Sequence, residues 1–245
     1  VVGGKPRPQI PHGPHLVVGL ARSGIAAALA LRAAGEEVIG VDAGAPGETE
    51  VLTRAGVEVH TGEQGVSLLG RARAVVKSPG VPLQAPVIAA ALERGLPVLG
   101  ELELAWRMLA NEFIAVTGTN GKTTTVELVG HIHREAGLPV AVAGNVGTAA
   151  SSLVGLIGPD TTVVCEVSSF QLEDSSEFAP EAAVLLNISP DHLDRHGTFE
   201  AYLQAKLLVF ARQGNDDLAV APLGLEVEDI GGCARRVCFG AGAGA

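Results

Sequence analysis

The residues best able to do chemistry stand in one run, Thr117-Gly118-Thr119-Asn120-Gly121-Lys122-Thr123-Thr124-Thr125. It follows the apolar stretch Phe113-Ile114-Ala115-Val116 and precedes a helical pattern from Val126 to Ala136. Strand, glycine loop and helix in that order form a cradle for a polyphosphate. The glycines let backbone N–H groups close around the phosphates, and the new helix aims its unpaired N–H groups the same way. Gly118, Thr119, Asn120, Gly121, Lys122, Thr123 and Thr124 are therefore the candidate ATP ligands, with Lys122 as the cation and the Thr123 hydroxyl turned to Mg²⁺. A full G-x-x-x-x-G-K-[ST] pattern would put glycine where Val116 stands, so the motif is the shorter Gly118-x-x-Gly121-Lys122-Thr123. A tight strand-to-helix turn that happens to hold Lys and Thr is the plain structural alternative.

Further chemistry gathers at the ends of the later strands. Pro139 to Ala143 closes on Gly144-Asn145-Val146-Gly147, which places Asn145 at a strand's carboxyl edge. The β-branched run Thr161 to Cys165 delivers Glu166-Val167-Ser168-Ser169-Phe170-Gln171-Leu172-Glu173 to that same edge. In phosphate-loop folds a strand-end acid shares the metal with the loop hydroxyl, so Glu166 is the natural partner of Thr123; a solvated strand-end carboxylate is the other reading. A strand from Ala182 to Leu186 opens onto a loop from Asn187 to Thr198, where Asp191, His192, Asp194, Arg195 and His196 collect. His192, just past the strand, is a candidate for a metal or substrate contact, and His196 reads as structural. In the helix expected from Phe199 to Arg212, Lys206 shares a face with Phe199, Leu203 and Phe210. Such a lysine must be paired, neutralised or modified, or must snorkel to solvent along its apolar stem.

The elements that position these groups alternate strand and helix from the start. His15 to Gly19 reads as a buried strand, and Gly19-Leu20-Ala21-Arg22-Ser23-Gly24 turns into a helix from Ile25 to Ala34, stopped by Gly35. Val38 to Val41 then ends in Asp42, about 20 residues beyond the glycine turn, where a ribose or base is often held. Ala21 stands where a dinucleotide fingerprint wants glycine, so a plain NAD site is disfavoured. A helix near Glu48 to Ala55, strands at Val57 to Val59 and Ala74 to Val76, and the turn Lys77-Ser78-Pro79-Gly80-Val81-Pro82 come next. A helix from Ala85 to Arg94, a strand Pro97 to Leu99 and a connecting helix from Glu101 to Ala110 complete the first part. The pattern predicts an α/β protein: a Rossmann-like domain over residues 1–100, then a phosphate-loop domain with a mostly parallel sheet over 101–245.

Composition narrows the partners. A chain of 245 residues with 47% hydrophobic residues suits two modest domains, and a formal charge of -10 supplies no basic stripe for nucleic acid. Cys165, Cys233 and Cys238 form neither a C-x-x-C pair nor a metal set, which fits a reducing cytoplasm. No run of about 18 apolar residues and no signal peptide is present, so no membrane insertion is expected.

The residues Gly118 to Thr123, Gly144 to Gly147, Glu166 to Glu173 and Asn187 to Arg195 together resemble the Mur ligases of peptidoglycan synthesis. Within the family the run Glu166 to Glu173 is similar to the branch that adds D-glutamate, because branches adding other amino acids or a dipeptide carry other residues after the shared acid. The resemblance implies a UDP-binding first domain, with Arg22, Ser23, Asp42, Ser78 and Gly80 on the nucleotide and its diphosphate, and Asn145, Ser168 and Gln171 on the muramoyl part. It implies a monomeric, cytoplasmic, ATP-dependent ligase acting on UDP-N-acetylmuramoyl-L-alanine and D-glutamate through an acyl phosphate, with Lys122, His192 and Lys206 as catalytic residues. Thr123 and Glu166 would hold one Mg²⁺, and His192 with a carbamylated Lys206 would hold a second. Family members continue into a third domain that supplies the glutamate site. The chain as given is expected to stop inside the central domain and to be inactive by itself. A sister ligase and a non-catalytic nucleotide-binding module are the competing readings.

Overall fold

The computed structural model describes residues 5–225 and 232–240. Strands β1 (His15–Val18), β2 (Val38–Asp42), β3 (Glu58–Thr61), β4 (Ala74–Lys77) and β5 (Val98–Gly100) make one sheet in the order β3-β2-β1-β4-β5. Every pairing in it is parallel. Helices α1 (Arg22–Ala33), α2 (Glu50–Arg54) and α3 (Pro86–Glu93) supply its crossovers, with a 3₁₀ turn at Val66–Arg71. β1 and β4 are buried at every position, as expected of parallel strands covered on both faces, which is why they read as unbroken apolar runs. The chain winds outward from β1 to β3 and then restarts at β4 on β1's other side. The carboxyl ends of β1 and β4 therefore flank a switch point, where open α/β sheets leave a crevice. At that crevice α1 packs so close to β1 that a Cβ on Gly24 would lie 1.8 Å from the Gly19 carbonyl oxygen, so glycine is obligatory there.

The second sheet has the order β11-β10-β9-β6-β8-β7, again with parallel pairings throughout. Its strands are β6 (Phe113–Thr117), β7 (Val140–Gly144), β8 (Thr162–Glu166), β9 (Ala182–Leu185), β10 (Leu218–Pro222) and β11 (Arg235–Phe239). Helices α5 (Lys122–Glu135), α6 (Ser169–Glu173), α7 (Leu193–His196) and α8 (Phe199–Leu207) accompany them, with a 3₁₀ turn at Ala150–Leu153. β6 lies between β8 and β9, so the ends of all three strands converge on the loop that leaves β6.

Several boundaries differ from the sequence pattern. α5 begins at Lys122, a full turn before Val126, because the polar residues Lys122 to Thr125 carry no apolar periodicity yet already make helical bonds, as in Thr125 N–H to Gly121 O at 3.0 Å. α8 ends at Leu207 rather than Arg212. Beyond it the bonds shorten to i→i+3, from Val209 to Lys206 O at 3.2 Å and from Phe210 to Leu207 O at 3.0 Å, and this tighter winding drives Val209 and Phe210 into the core. The buried residues of α8 are Tyr202, Ala205, Lys206 and Leu207, while Phe199 and Leu203, expected on the same face as Lys206, are half-buried.

Helix α4 (Glu101–Met108) joins the two sheets and is buried nearly all round. Leu104 belongs to the core under the first sheet, whereas Leu102, Ala105 and Trp106 belong to the core of the second. Its two glutamates are fixed rather than solvated. Glu103 pairs with Arg107 at 2.7 Å, and one Glu101 oxygen accepts from the Ser151 N–H at 2.8 Å and the Ser151 hydroxyl at 2.6 Å. Among the described residues no cation pairs with Glu101, and burial pushes its carboxyl above the usual range against those two bonds. A raised carboxyl pKa means that stability is lost as pH rises above about 4.5, because the unfolded chain releases the proton first. Glu101→Gln should therefore leave the protein at least as stable as wild type at pH 7 and flatten that part of the stability–pH curve. Chemical denaturation at pH 5 and 8 checks this, and a glutamine variant less stable by more than about 2 kcal/mol would show that the carboxylate is needed in charged form.

Candidate functional site

The loop after β6 leaves the sheet through Gly118 and Gly121, both at positive φ, and Gly121 is the left-handed residue from which α5 starts. Lys122, the first residue of α5, folds back so that its ammonium donates to Gly118 O and Thr119 O, each at 3.0 Å. The register sets Val116 opposite Glu166 and Gly144 opposite Glu166, so the end of β8 is held between β6 and β7. A Cβ on Gly144 would meet the Glu166 carbonyl oxygen at 2.1 Å; without one, the chain can turn and Asn145 N–H reaches that oxygen at 2.9 Å. One oxygen of the buried Glu166 carboxylate accepts from the Thr123 hydroxyl at 2.7 Å and the other from the Asn145 amide at 3.2 Å. The two groups expected to share a metal are thus in contact, 43 residues apart in sequence. Hydroxyl and carboxylate oxygens are hard donors of the kind Mg²⁺ takes beside phosphates, so the residues present fit that ion.

A second set of contacts comes from β9's side. The Asn187 side chain pairs with the backbone of Asn120 in both directions, accepting from its N–H at 2.9 Å and donating to its carbonyl at 3.0 Å. Thr119 Oγ1 accepts from Ser189 N–H at 3.0 Å and lies 3.2 Å from the Tyr202 hydroxyl. The phosphate loop is therefore fastened at its tip to the loop carrying His192. Sequence reasoning misses the roles of Asn187 and Tyr202. A polar residue directly after an apolar strand, and an aromatic one turn before the buried lysine, are the signals that could have found them.

Lys206 is 2% exposed, which overturns the snorkelling alternative. Its ammonium donates to Gly118 O at 2.9 Å and lies 4.8 Å from the centre of the Tyr202 ring. Burial and, after it, the nearby Lys122 ammonium lower its pKa to about 8 against the opposing charges of Asp191 and Glu166. Two ammonium groups thus converge on one carbonyl oxygen. His192 sits in the left-handed region at φ 50, with its ring 5.1 Å from Phe170 and 6.2 Å from Tyr202. Among the described residues no group of three or more His, Cys, Asp or Glu side chains is placed to hold a metal. His196 stacks on Phe170 and its Nε2 lies 3.0 Å from the Ser169 hydroxyl, a structural setting.

Between the sheets lies a cleft of about 350 Å³ whose walls include Arg22, Ser23, Asp42, Ser78 and Gly80 from one side and Asn145 and Gln171 from the other. Ser168 is not part of its lining. It caps α6 instead, accepting from Gln171 N–H at 3.3 Å and donating to Gln171 Oε1 at 3.0 Å. Asp42 reaches the cleft, but its carboxylate holds the turn around it, accepting from Leu20 N–H at 2.7 Å and Gly44 N–H at 2.8 Å. Ser78 donates to Gly19 O at 2.8 Å, tying the ends of β4 and β1 together. Arg22 crosses the cleft to Gly147 O at 3.1 Å. A second, more apolar cavity of about 360 Å³ adjoins it beside Val41, Pro82 and Val87.

Two domain families match the chain: Mur ligase MurD-like, N-terminal domain, over residues 14–100, and Mur ligase middle domain, over residues 116–230. A UDP-N-acetylmuramoylalanine–D-glutamate ligase of Pelotomaculum thermopropionicum is 49% identical over 211 residues, covering 84% of this chain and 46% of the relative. The enzyme of the same description from Koribacter versatilis is 46% identical over 209 residues, with coverages of 84% and 46%. The chain spans about half the length of these curated relatives. Among solved structures, a UDP-N-acetylmuramate:L-alanyl-gamma-D-glutamyl-meso-diaminopimelate ligase from Neisseria meningitides superposes with TM-score 0.64 at 20% identity, over 94% of this chain and 79% of that one. A UDP-N-acetylmuramate-alanine ligase from Thermotoga maritima does so at 0.54 and 24%, over 92% and 53%. The structural likeness speaks for the fold alone. With two parallel sheets, a glycine loop fastened between strand ends, and both family domains in their order along the sequence, the chain belongs to the Mur ligase family.

Proposed function

We propose that the protein of which this chain is part is a cytoplasmic ATP-dependent ligase that joins D-glutamate to UDP-N-acetylmuramoyl-L-alanine. The observation that carries the reading is the Thr123–Glu166 contact at the start of α5, linked through the Asn145 amide on Glu166 to a two-walled cleft that Asn145 lines. Similarity to relatives described as D-glutamate ligases supports the choice of amino acid. In this reading Gly118 to Thr124 bind the triphosphate, and Lys122 swings from its loop carbonyls to the β- and γ-phosphates. Thr123 and Glu166 hold Mg²⁺, which when bound neutralises phosphate charge. The first domain holds the uridine diphosphate through Arg22, Ser23, Ser78 and Gly80, with Asp42 shaping the turn beneath it. Asn145 and Gln171 orient the muramoyl arm so that its carboxylate meets the γ-phosphate, and the glutamate amine then attacks the resulting acyl phosphate with loss of phosphate. Asn187 and Thr119 keep the loop from shifting as charge moves.

Lys206 and His192 would complete a second Mg²⁺ site once Lys206 is a carbamate. That modification replaces the second of two crowded ammonium groups by oxygens suited to the metal. The test is phosphate release by the purified full-length protein with ATP, UDP-N-acetylmuramoyl-L-alanine and single amino acids. Release that requires D-glutamate is expected. Stimulation by a different amino acid would make it a sister ligase, and ATP binding without any release would leave a nucleotide-binding module.

A further inference from the structure

We infer that the buried Lys77–Asp174 ion pair positions the substrate cleft: it clamps the Ser78–Val81 turn of the first sheet onto α6 of the second, and the cleft loses its binding geometry when the pair opens. Lys77 is the last residue of β4 and has no exposed surface. Its ammonium lies 2.6 Å from Asp174 Oδ2, 2.5 Å from Val81 O and 3.3 Å from Ser78 O. The turn is therefore wrapped around the ammonium, and Ser78 and Gly80 within it face the cleft. Asp174 directly follows α6, the helix that brings Gln171 to the opposite wall. Its backbone is held as well, because Asp174 O accepts from Gly100 N–H at 3.0 Å and a Cβ on Gly100 would strike Asp174 Cβ at 2.6 Å. Asp174 is thus a junction of β4, the β5–α4 corner and α6. Two further polar contacts between the walls, Arg22 to Gly147 O and Arg195 to Pro79 O, are exposed.

Stability does not account for such a pair, since two charges taken out of water repay little more than apolar residues of the same volume. What it supplies is direction: one ammonium hydrogen-bonded to two carbonyls of the turn and ion-paired at 2.6 Å with Asp174. The charged groups facing it are Arg195 from α7, which opposes Lys77's charge and supports that of Asp174, and Glu173 from α6, which does the reverse. Burial raises the Asp174 carboxyl to about 6, the Lys77 and Arg195 cations pulling the other way. As pH falls through that value Asp174 takes up a proton, the ammonium loses its counter-charge, and the turn is released from α6.

The inference rests on the proposed uridine-nucleotide cleft, and the experiment separates the two. Calorimetry on the full-length protein measures affinity for UDP-N-acetylmuramoyl-L-alanine, whose diphosphate diester does not titrate near pH 6, and for MgATP, between pH 5.5 and 7.5. Wild type should lose about threefold of its uridine-nucleotide affinity from pH 7 to 5.5, as a carboxyl titrating at about 6 allows, while MgATP binding changes less than about 1.5-fold. Lys77→Met/Asp174→Leu, an apolar pair of similar volume, should melt within a few degrees of wild type, bind the uridine nucleotide about tenfold more weakly at pH 7 and show no pH step. A flat wild-type profile, or a double variant that binds as wild type does, would overturn the inference alone. Wild type that binds MgATP but no uridine nucleotide would overturn the reading of the cleft and the inference with it.

Discussion

Replacing Lys122 by alanine in the full-length protein is expected to lower kcat/KM by about a thousandfold, equivalent to about 4 kcal/mol of lost transition-state stabilisation. Lys122 opens α5, so its ammonium and the free N–H groups of the helix start address the same point. The ammonium donates to Gly118 O and Thr119 O. Those neutral acceptors are weaker partners than a phosphate oxygen, and the lysine transfers when charge arrives. The effect should fall on the chemical step because negative charge migrates across the transferred group beside that ammonium. The cleft proposed for the uridine nucleotide is lined by other residues, so affinity for that nucleotide should stay within about twofold of wild type. Single-turnover rates and calorimetry separate the two outcomes. Turnover near the wild-type rate would refute the role given to this lysine.

Lys206→Ala should slow ligation by at least about a hundredfold, with part of the rate restored by added acetate, whereas Lys206→Arg should be equally slow and refractory. Buried against Tyr202 and facing Lys122, the amine holds its proton only up to a pH of about 8, so the neutral form is available near physiological pH. In the proposed carbamate the lone pair of that neutral amine would attack the carbon of CO₂ with release of a proton, and the product would carry a negative charge where two ammonium groups crowd Gly118 O. Acetate can occupy the vacated oxygen positions, but a guanidinium fills them with permanent positive charge. Because the pKa is lowered, activation by bicarbonate should strengthen as pH rises toward about 8, the neutral fraction growing over that range. Rates of both variants with and without acetate, together with the ¹³C resonance of bicarbonate-treated wild type, check each of these steps. A Lys206→Ala protein of normal rate would leave the residue a structural role only.

The two lysines illustrate how far sequence alone reaches. Lys122 is legible because its neighbours are local: an apolar strand, two glycines and a helix start lie within a dozen residues, and each enforces its own backbone geometry. The same holds for the strand ends at Asn145, Glu166 and Asn187, since unbroken apolar runs announce parallel strands, and the residues just beyond parallel strands must emerge at one edge. Register then puts Glu166 beside Val116 and Gly144, a placement that the alternation of strand and helix anticipates.

Tertiary structure decided whatever depended on partners far along the chain. Helical spacing puts Lys206 on an apolar face but equally allows it to reach solvent. Its contact with Gly118, 88 residues away, comes only with the docking of α8 beneath the phosphate loop. Position and resemblance propose Ser168 and Asp42 as substrate contacts; that Ser168 also caps α6 and that Asp42's carboxylate also accepts from two backbone N–H groups is visible only in the fold. A polar side chain at a strand end serves whichever donor the fold brings nearest, and an unpaired buried N–H is too costly to leave. The two-way pairing of Asn187 with Asn120 and the burial of Lys77 against Asp174 have the same origin. Chain order and hydrophobic period thus determined the strands, the glycine turns and the edge of the sheet where chemistry collects. Which polar groups face a ligand and which hold the scaffold was settled by the docking of the two sheets across α4, because burial and hydrogen-bond supply exist only once distant segments meet.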